Sequence, residues 1–184
     1  MSKLISNDKT KLTNSTDNSE SPRLPQSTLH PINPIKKIAE IAVVSALYVA
    51  LTVLVTPISY GPIQFRISEA VIILVAARPH LILFVPIGCF AANLFSPYAG
   101  FWDWIFMPLV SFLGALPIYF FKRRFLLGTV WFYAVVTATG VGLMLSVLLK
   151  KGFLVLTFPV LASQTIIMTL AYFLFKGYFI LLKK

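Results

Sequence analysis

Residues 67–95 read ISEAVIILVAARPHLILFVPIGCFAANLF, and the architecture turns on whether they cross a membrane once or twice. A single crossing would place Arg78 near the bilayer centre, at a cost of ~3 kcal/mol or more. Cut at Arg78-Pro79, the stretch gives two apolar segments, 67–77 and 81–95. Both are shorter than the ~20 residues that span ~30 Å of hydrocarbon, so each has to be a short crossing buried in protein. Two crossings is the preferred reading.

Working outward, four further apolar segments are bounded by proline or charge: 35–56 before Pro57, 104–121 before Lys122-Arg123-Arg124, 125–149 before Lys150-Lys151, and 153–182 before Lys183-Lys184. The expectation is an all-α integral membrane protein, a bundle of six transmembrane helices over residues 35–184. Composition agrees. Of 184 residues, 58% are apolar and 12% charged, where soluble chains carry about a quarter charged residues. Residues 1–34 are rich in Ser, Thr, Asn, Lys and Pro, and read as a disordered cytoplasmic tail. It is not a secretory signal, because the apolar stretch that follows runs far beyond the length of a signal core.

The net charge of +10 comes from 16 basic and six acidic residues. Nucleic acid is not the implied partner, because the basic residues punctuate apolar runs instead of clustering among soluble, base-stacking elements. With six spans and the N-terminus inside, Lys36, Lys37, Arg78, Lys122, Arg123, Arg124, Lys183 and Lys184 flank the inner face. Arg66, Lys150 and Lys151 flank the outer one. This bias places both termini in the cytoplasm, whereas merging the second and third spans would put the Lys122–Arg124 cluster outside.

Chemistry is sparse. Cys89 is the one cysteine, which excludes an intrachain disulfide and a cysteine-based metal site; its apolar surroundings disfavour a thiolate nucleophile. No phosphate-binding G-x-x-x-x-G-K-[ST] loop, zinc H-E-x-x-H pair or G-x-S-x-G elbow occurs. The chain therefore offers no cofactor or metal site of its own and cannot hydrolyse ATP by the usual phosphate cradle, so any energy input has to come from elsewhere.

Beyond the tail the acids are Glu40, Glu69 and Asp103, and an acid at membrane depth is a candidate site by default. Glu40 is expected to pair with Lys36 one helical turn away. Glu69 and Asp103 converge with Gln64, Arg66 and Asn93 near the outer face, among Tyr60, Phe65, Trp102 and Trp104. Such a set suits a planar polar molecule that needs ring faces, amides and carboxylates. Glu69 can accept two adjacent N–H groups of a nucleobase-like edge, while Gln64 and Asn93 pair with a carbonyl and a ring nitrogen. Bland alternatives stand beside this: an Arg66–Glu69 pair at i, i+3, Asp103 as a helix N-cap, and the tryptophans as interfacial belt residues. Gln164 lies deep in the last span and needs a partner, so it faces the bundle interior or a cavity. Thr137, Thr139, Gly140 and Gly142 read as packing contacts. Ala42, Ala46 and Ala50, at i, i+4 and i+8, form a small-residue stripe that serves internal packing or docks another membrane protein.

The strings ALYVALT (46–52), PISYGPIQFRISEA (57–70) and GCFAANLFSP (88–97) resemble the QueT family over about residues 36–184. The family comprises the substrate-binding S components of energy-coupling factor (ECF) transporters assigned to queuosine precursors. The resemblance implies a six-helix domain in a bacterial cell membrane that captures a deazaguanine base at the outer face. Its implied partners are an ECF transmembrane scaffold protein and two ATPase subunits, which reorient the S component. It also implies that Ala42, Ala46 and Ala50 are the docking face, and that a cationic aminomethyl ligand meets Glu69 and Asp103. Two places depart from the family pattern: Ser163-Gln164 stands where Gly-Glu is usual, and Ala77-Arg78-Pro79-His80 where the family has a Phe-Pro-Glu-like loop. The competing classes are an S component for another vitamin-like or nucleobase substrate, an intramembrane enzyme using Glu69 and Asp103 as acid and base, and an assembly protein whose polar groups only cap helices.

Overall fold

A computed structural model describes residues 33–60, 64–121 and 124–181. Residues 1–32, 61–63, Lys122, Arg123 and residues 182–184 lie outside the described residues, and with them most of the expected tail and four of the basic residues used to orient the chain. Among the described residues all regular structure is helical. The elements are α1 (Pro34–Leu54), a single turn α2 (Thr56–Ser59), α3 (Ile67–Ala77), α4 (Pro79–Asn93), α5 (Trp102–Phe121), α6 (Leu126–Leu149) and α7 (Phe153–Leu181). Apart from α2, these are the six segments expected from the sequence. α1 begins one residue earlier than expected because Pro34 suits a first helical turn, where its missing N–H has no intrahelical partner.

α1, α5, α6 and α7 are long and apolar enough to cross a membrane, whereas α3 and α4 are shorter apolar helices. Arg78 separates the short pair in an extended conformation, φ −133° and ψ 93°. Tight 3₁₀ winding lengthens both. Seven residues of α3 and the first five of α4 adopt it, so at about 2.0 Å per 3₁₀ residue and 1.5 Å per α residue they reach roughly 20 and 25 Å instead of about 17 and 23 Å.

Packing closes a ring: α3 contacts α1 and α7, α7 contacts α6, α6 contacts α5, α5 contacts α4, and α4 returns to α1. Two apolar clusters fill it. One gathers Tyr48, Ile72, Phe84, Ile118, Tyr133 and Met168; the other holds Cys89, Met107, Val141, Met144 and Val160. Between them three helices each bury a polar side chain: Ser111 in α5, Thr137 in α6 and Gln164 in α7. Outside, Leu154, Phe158, Ile166, Leu170 and Phe173 of α7 are more than a third exposed. Such an apolar exterior is stable only in lipid, so the chain is a multi-pass integral membrane protein.

Thr137, Gly140 and Gly142 of α6 are buried in packing as expected, whereas Thr139 is exposed. A Cβ on Gly140 would lie 2.6 Å from Val110 Cγ1, and one on Gly142 would lie 1.9 Å from Thr157 Oγ1. Thr137 and Thr139 donate to the carbonyls of Tyr133 and Val135. Two electrostatic expectations are corrected. The carboxylate of Glu40 meets Arg78, and His80 Nε2 at 2.7 Å, instead of Lys36, because α1 packs against the turn that carries both partners. Arg66, counted among exposed flanking charges, is 1% exposed because the α2–α3 connection folds it inward onto Tyr60.

Candidate functional site

Glu69 lies in the first turn of α3 and is 2% exposed. Its local partner is not Arg66. Tyr48 of α1 donates its hydroxyl to Oε1 at 2.9 Å, and Tyr133 of α6 donates to Oε2 in a short hydrogen bond. One carboxylate thus joins three helices. Nearby, Thr52 Oγ1 lies 2.7 Å from Ser68 Oγ and 2.8 Å from the Tyr48 carbonyl, which fixes α1 against α3 beside the carboxylate.

The connection before α3 contributes the next groups. Gln64 adopts φ 46° and is 1% exposed; left-handed backbone in a residue other than glycine is strained and collects at functional sites. The Arg66 guanidinium lies 5.1 Å from the centroid of the Tyr60 ring, and its Nε donates to Ser59 O at 3.4 Å. The Tyr60 hydroxyl donates to Ala92 O at 2.5 Å, fastening this connection to the end of α4. Burial pushes the Tyr60 phenol up to about 12, against the pull of the Arg66 cation, so it remains a neutral donor.

α4 and α5 complete the set. Asn93, fully buried, donates through Nδ2 to Asp103 O at 2.8 Å and approaches Cys89 Sγ at 3.6 Å. Asp103 is also fully buried. It is not an N-cap, because it sits inside the π-helical turn Trp102–Phe106 that opens α5, where Phe101 holds the cap position without a side-chain hydrogen bond. A π turn rotates its residues out of α register and recurs at functional sites. Electrostatics tie the groups together: Arg66 interacts with Tyr48, Tyr60, Glu69 and Cys89, and Asp103 interacts with Arg66 and Ser96.

Most of the expected residues therefore converge, namely Tyr60, Arg66, Glu69, Asn93 and Asp103, and Gln64 is buried on the same connection. Gln164 is buried on α7, which packs against the first half of α3. Trp104 is not brought in: it is 41% exposed, while Trp102 packs with the second apolar cluster. Tyr48 and Tyr133 were missed. Their signal was a phenol in mid-span, which needs a hydrogen-bonding partner once buried.

Unmet hydrogen-bonding capacity defines the chemistry. Among the described residues, Gln64 Oε1 and Nε2, Arg66 Nη2, Asn93 Oδ1, both oxygens of Asp103 and Gln164 Oε1 are buried without a hydrogen-bonding partner. A buried polar atom without a partner costs about 1–3 kcal/mol, more when charged, so a concentration of them marks a site completed by something else. Five are acceptors and two are donor nitrogens, while the hydroxyls of Ser45 and Ser59, also unpartnered, can act as either. The complementary molecule is polar, rich in N–H groups and poorer in acceptors. Asp103, with both oxygens free, can take two adjacent N–H groups, whereas Glu69 has already spent one lone pair of each oxygen on a tyrosine.

A family model described as QueT transporter matches residues 38–179. The chain belongs to the QueT transporter family. A curated relative, "Queuosine precursor transporter QueT" of Lactococcus lactis subsp. cremoris (strain MG1363), is 46% identical over 55 residues. That alignment covers 29% of this chain and 32% of the relative, so it spans about a third of the relative's length. No solved structure matches. Membership in this transporter family removes the need for an acid–base role at Glu69 and Asp103.

Proposed function

We propose that this chain is a queuosine-precursor transporter acting as the capturing subunit of an energy-coupling factor importer. The observation that carries the reading is the excess of free acceptors over free donors in the buried set. A deazaguanine base with an aminomethyl group complements it: its ring N–H groups, exocyclic amine and ammonium outnumber its acceptors. Asp103 takes the paired N–H groups of the guanine-like edge, Arg66 and the Gln64 amide meet the carbonyl, and Glu69, fixed by Tyr48 and Tyr133, supplies counter-charge for the ammonium. Gln164 offers a neutral acceptor where the family's usual carboxylate would add a second charge.

Energy comes from partners in this reading. An ECF scaffold protein docks on Ala42, Ala46 and Ala50, all exposed on α1, and two ATPase subunits on the cytoplasmic side drive release. Both termini face the cytoplasm of a bacterial cell membrane, in line with the basic residues at that end.

Calorimetric titration of the purified full chain with the aminomethyl deazaguanine tests the capture step. Saturable one-to-one binding, stronger than for guanine, is expected. Absence of saturable binding, or preference for a ligand with few N–H groups, overturns the reading. Uptake in cells with and without the scaffold and ATPases tests the energy source; uptake by the chain alone refutes it.

A further inference from the structure

A concave feature of the bundle is lined by residues other than those of the polar set. A groove of about 350 Å³ runs between α1 and the α3–α4 turn, walled by Ala39, Val43, Val44, Leu74, Ala77 and Leu81, with Glu40 and Arg78 at its rim. Its walls are apolar and its charges are confined to one end. Beyond that rim, Lys36 and Lys37 are exposed on the first turn of α1. Helical periodicity sets Lys36 over Ala39, Glu40 and Val43, at i+3, i+4 and i+7.

The charges at this end do not cancel. Glu40 is engaged by Arg78 and by His80 Nε2, and among the described residues no ion pair engages Lys36 or Lys37. The Arg78 side chain is 53% exposed despite its ion pair, so it also faces outward. From Lys36 to Val44 the helix advances about 12 Å, at 1.5 Å per residue. A cationic rim followed by an apolar trough of that length matches an amphiphile with an anionic head and a hydrocarbon tail. Basic pockets between membrane helices bind acidic lipid headgroups for this reason.

We propose that this groove holds one anionic phospholipid, its phosphate at Lys36, Lys37 and Arg78 and one acyl chain along Ala39, Val43 and Leu81. The lipid covers apolar surface between α1 and α3 that the bundle leaves open, and it sits on the edge of α1 next to Ala42 and Ala46. Bound lipid therefore stabilises the packing of α1 against the turn that carries Arg78.

Native mass spectrometry of the purified full chain, titrated with phosphatidylglycerol or phosphatidylcholine of identical acyl chains, tests this. One phosphatidylglycerol per chain is expected to be retained, about tenfold more strongly than phosphatidylcholine. Lys36→Gln/Lys37→Gln should erase that preference. Ala39→Phe, which fills the trough without changing charge, should lower retention of both lipids; all three positions are exposed, so the fold is spared. Equal retention of the two lipids by the native chain overturns the proposal, as does phosphatidylglycerol retention unaffected by both variants. Displacement of phosphatidylglycerol by an equal concentration of inorganic phosphate shows a headgroup contact without use of the groove, and also overturns it. If Ala39→Phe spares lipid retention and instead blocks assembly with the scaffold protein, the groove belongs to a partner helix and the lipid assignment fails.

Discussion

The Tyr48 hydroxyl donates to Glu69 Oε1 at 2.9 Å, a hydrogen bond between residues 21 positions apart that ties the first membrane helix to the first short crossing. α1 buries Ser45, Tyr48 and Thr52 and turns most of its remaining surface outward. Part of what holds α1 beside Glu69 is thus polar, alongside the apolar packing of Ile41, Val44, Val49 and Leu51. Tyr48→Phe leaves the carboxylate one donor short inside the bundle, and a lost hydrogen bond to a buried charge is worth about 1.5–3 kcal/mol. The variant should melt at a lower temperature and bind the aminomethyl deazaguanine roughly tenfold more weakly. Unchanged melting and affinity would show that Tyr133 alone suffices to hold Glu69.

Asp103 and Glu69 separate by the state of their oxygens. Both oxygens of Asp103 are without partners, whereas each oxygen of Glu69 accepts a phenol. Asp103→Asn replaces one acceptor by a donor and removes the charge, so affinity for the deazaguanine should fall about 10–100-fold. Melting temperature without ligand should rise or stay the same, since the substitution removes the desolvation cost of a buried carboxylate whose oxygens accept no hydrogen bond among the described residues, a cost that outweighs its attraction to Arg66. Glu69→Gln should lower both affinity and melting temperature, because it breaks a network that already exists. Calorimetry and thermal melts of the two variants in parallel check this opposition; a fall in stability for Asp103→Asn would contradict it.

Close approach of α6 and α7 depends on a missing side chain. A Cβ at Gly142 would lie 1.9 Å from Thr157 Oγ1 and 3.1 Å from its Cα, so rotation of the threonine alone does not make room. Gly142→Ala should destabilise the chain by about 1–3 kcal/mol, the usual cost of overpacking. Gly128→Ala, where nothing lies within 4 Å, is the matched control and should be neutral or slightly stabilising. Equal melting of the two variants would mean that the helices separate without cost.

The six crossings were legible because membrane depth imposes a length and Arg78-Pro79 imposes a break; the 3₁₀ winding of α3 and α4 left no comparable mark in their apolar runs. Much of the polar set was legible for the same reason, since Glu69, Asn93, Asp103 and Gln164 have no cheap explanation inside lipid. The pairings were not. The spacing of Arg66 and Glu69 suggested a local ion pair, yet Glu69 takes Tyr48 and Tyr133, 21 and 64 residues away, and no periodicity encodes such distances. Glu40 shows the same failure: helical spacing pointed to Lys36, while tertiary packing delivered Arg78 and His80. Trp104 and Trp102 share one π turn, yet Trp102 packs against the second apolar cluster while Trp104 is exposed.

Ala42, Ala46 and Ala50 are exposed on α1, while Tyr48 on the same helix is 1% exposed and bonded to Glu69. In the proposed reading, ligand binding and docking therefore use different faces of a single helix, and substitutions can separate them. Ala46→Leu/Ala50→Leu keeps the surface apolar and compatible with lipid, so the bundle should fold and bind the deazaguanine within about twofold of the native chain. The added branches hold an approaching helix away, removing the close van der Waals contact that drives association where lipid supplies no hydrophobic force. Co-purification with the scaffold protein and substrate uptake should both fall at least tenfold. Retained uptake alongside lost ligand binding would reverse the assignment of the two faces.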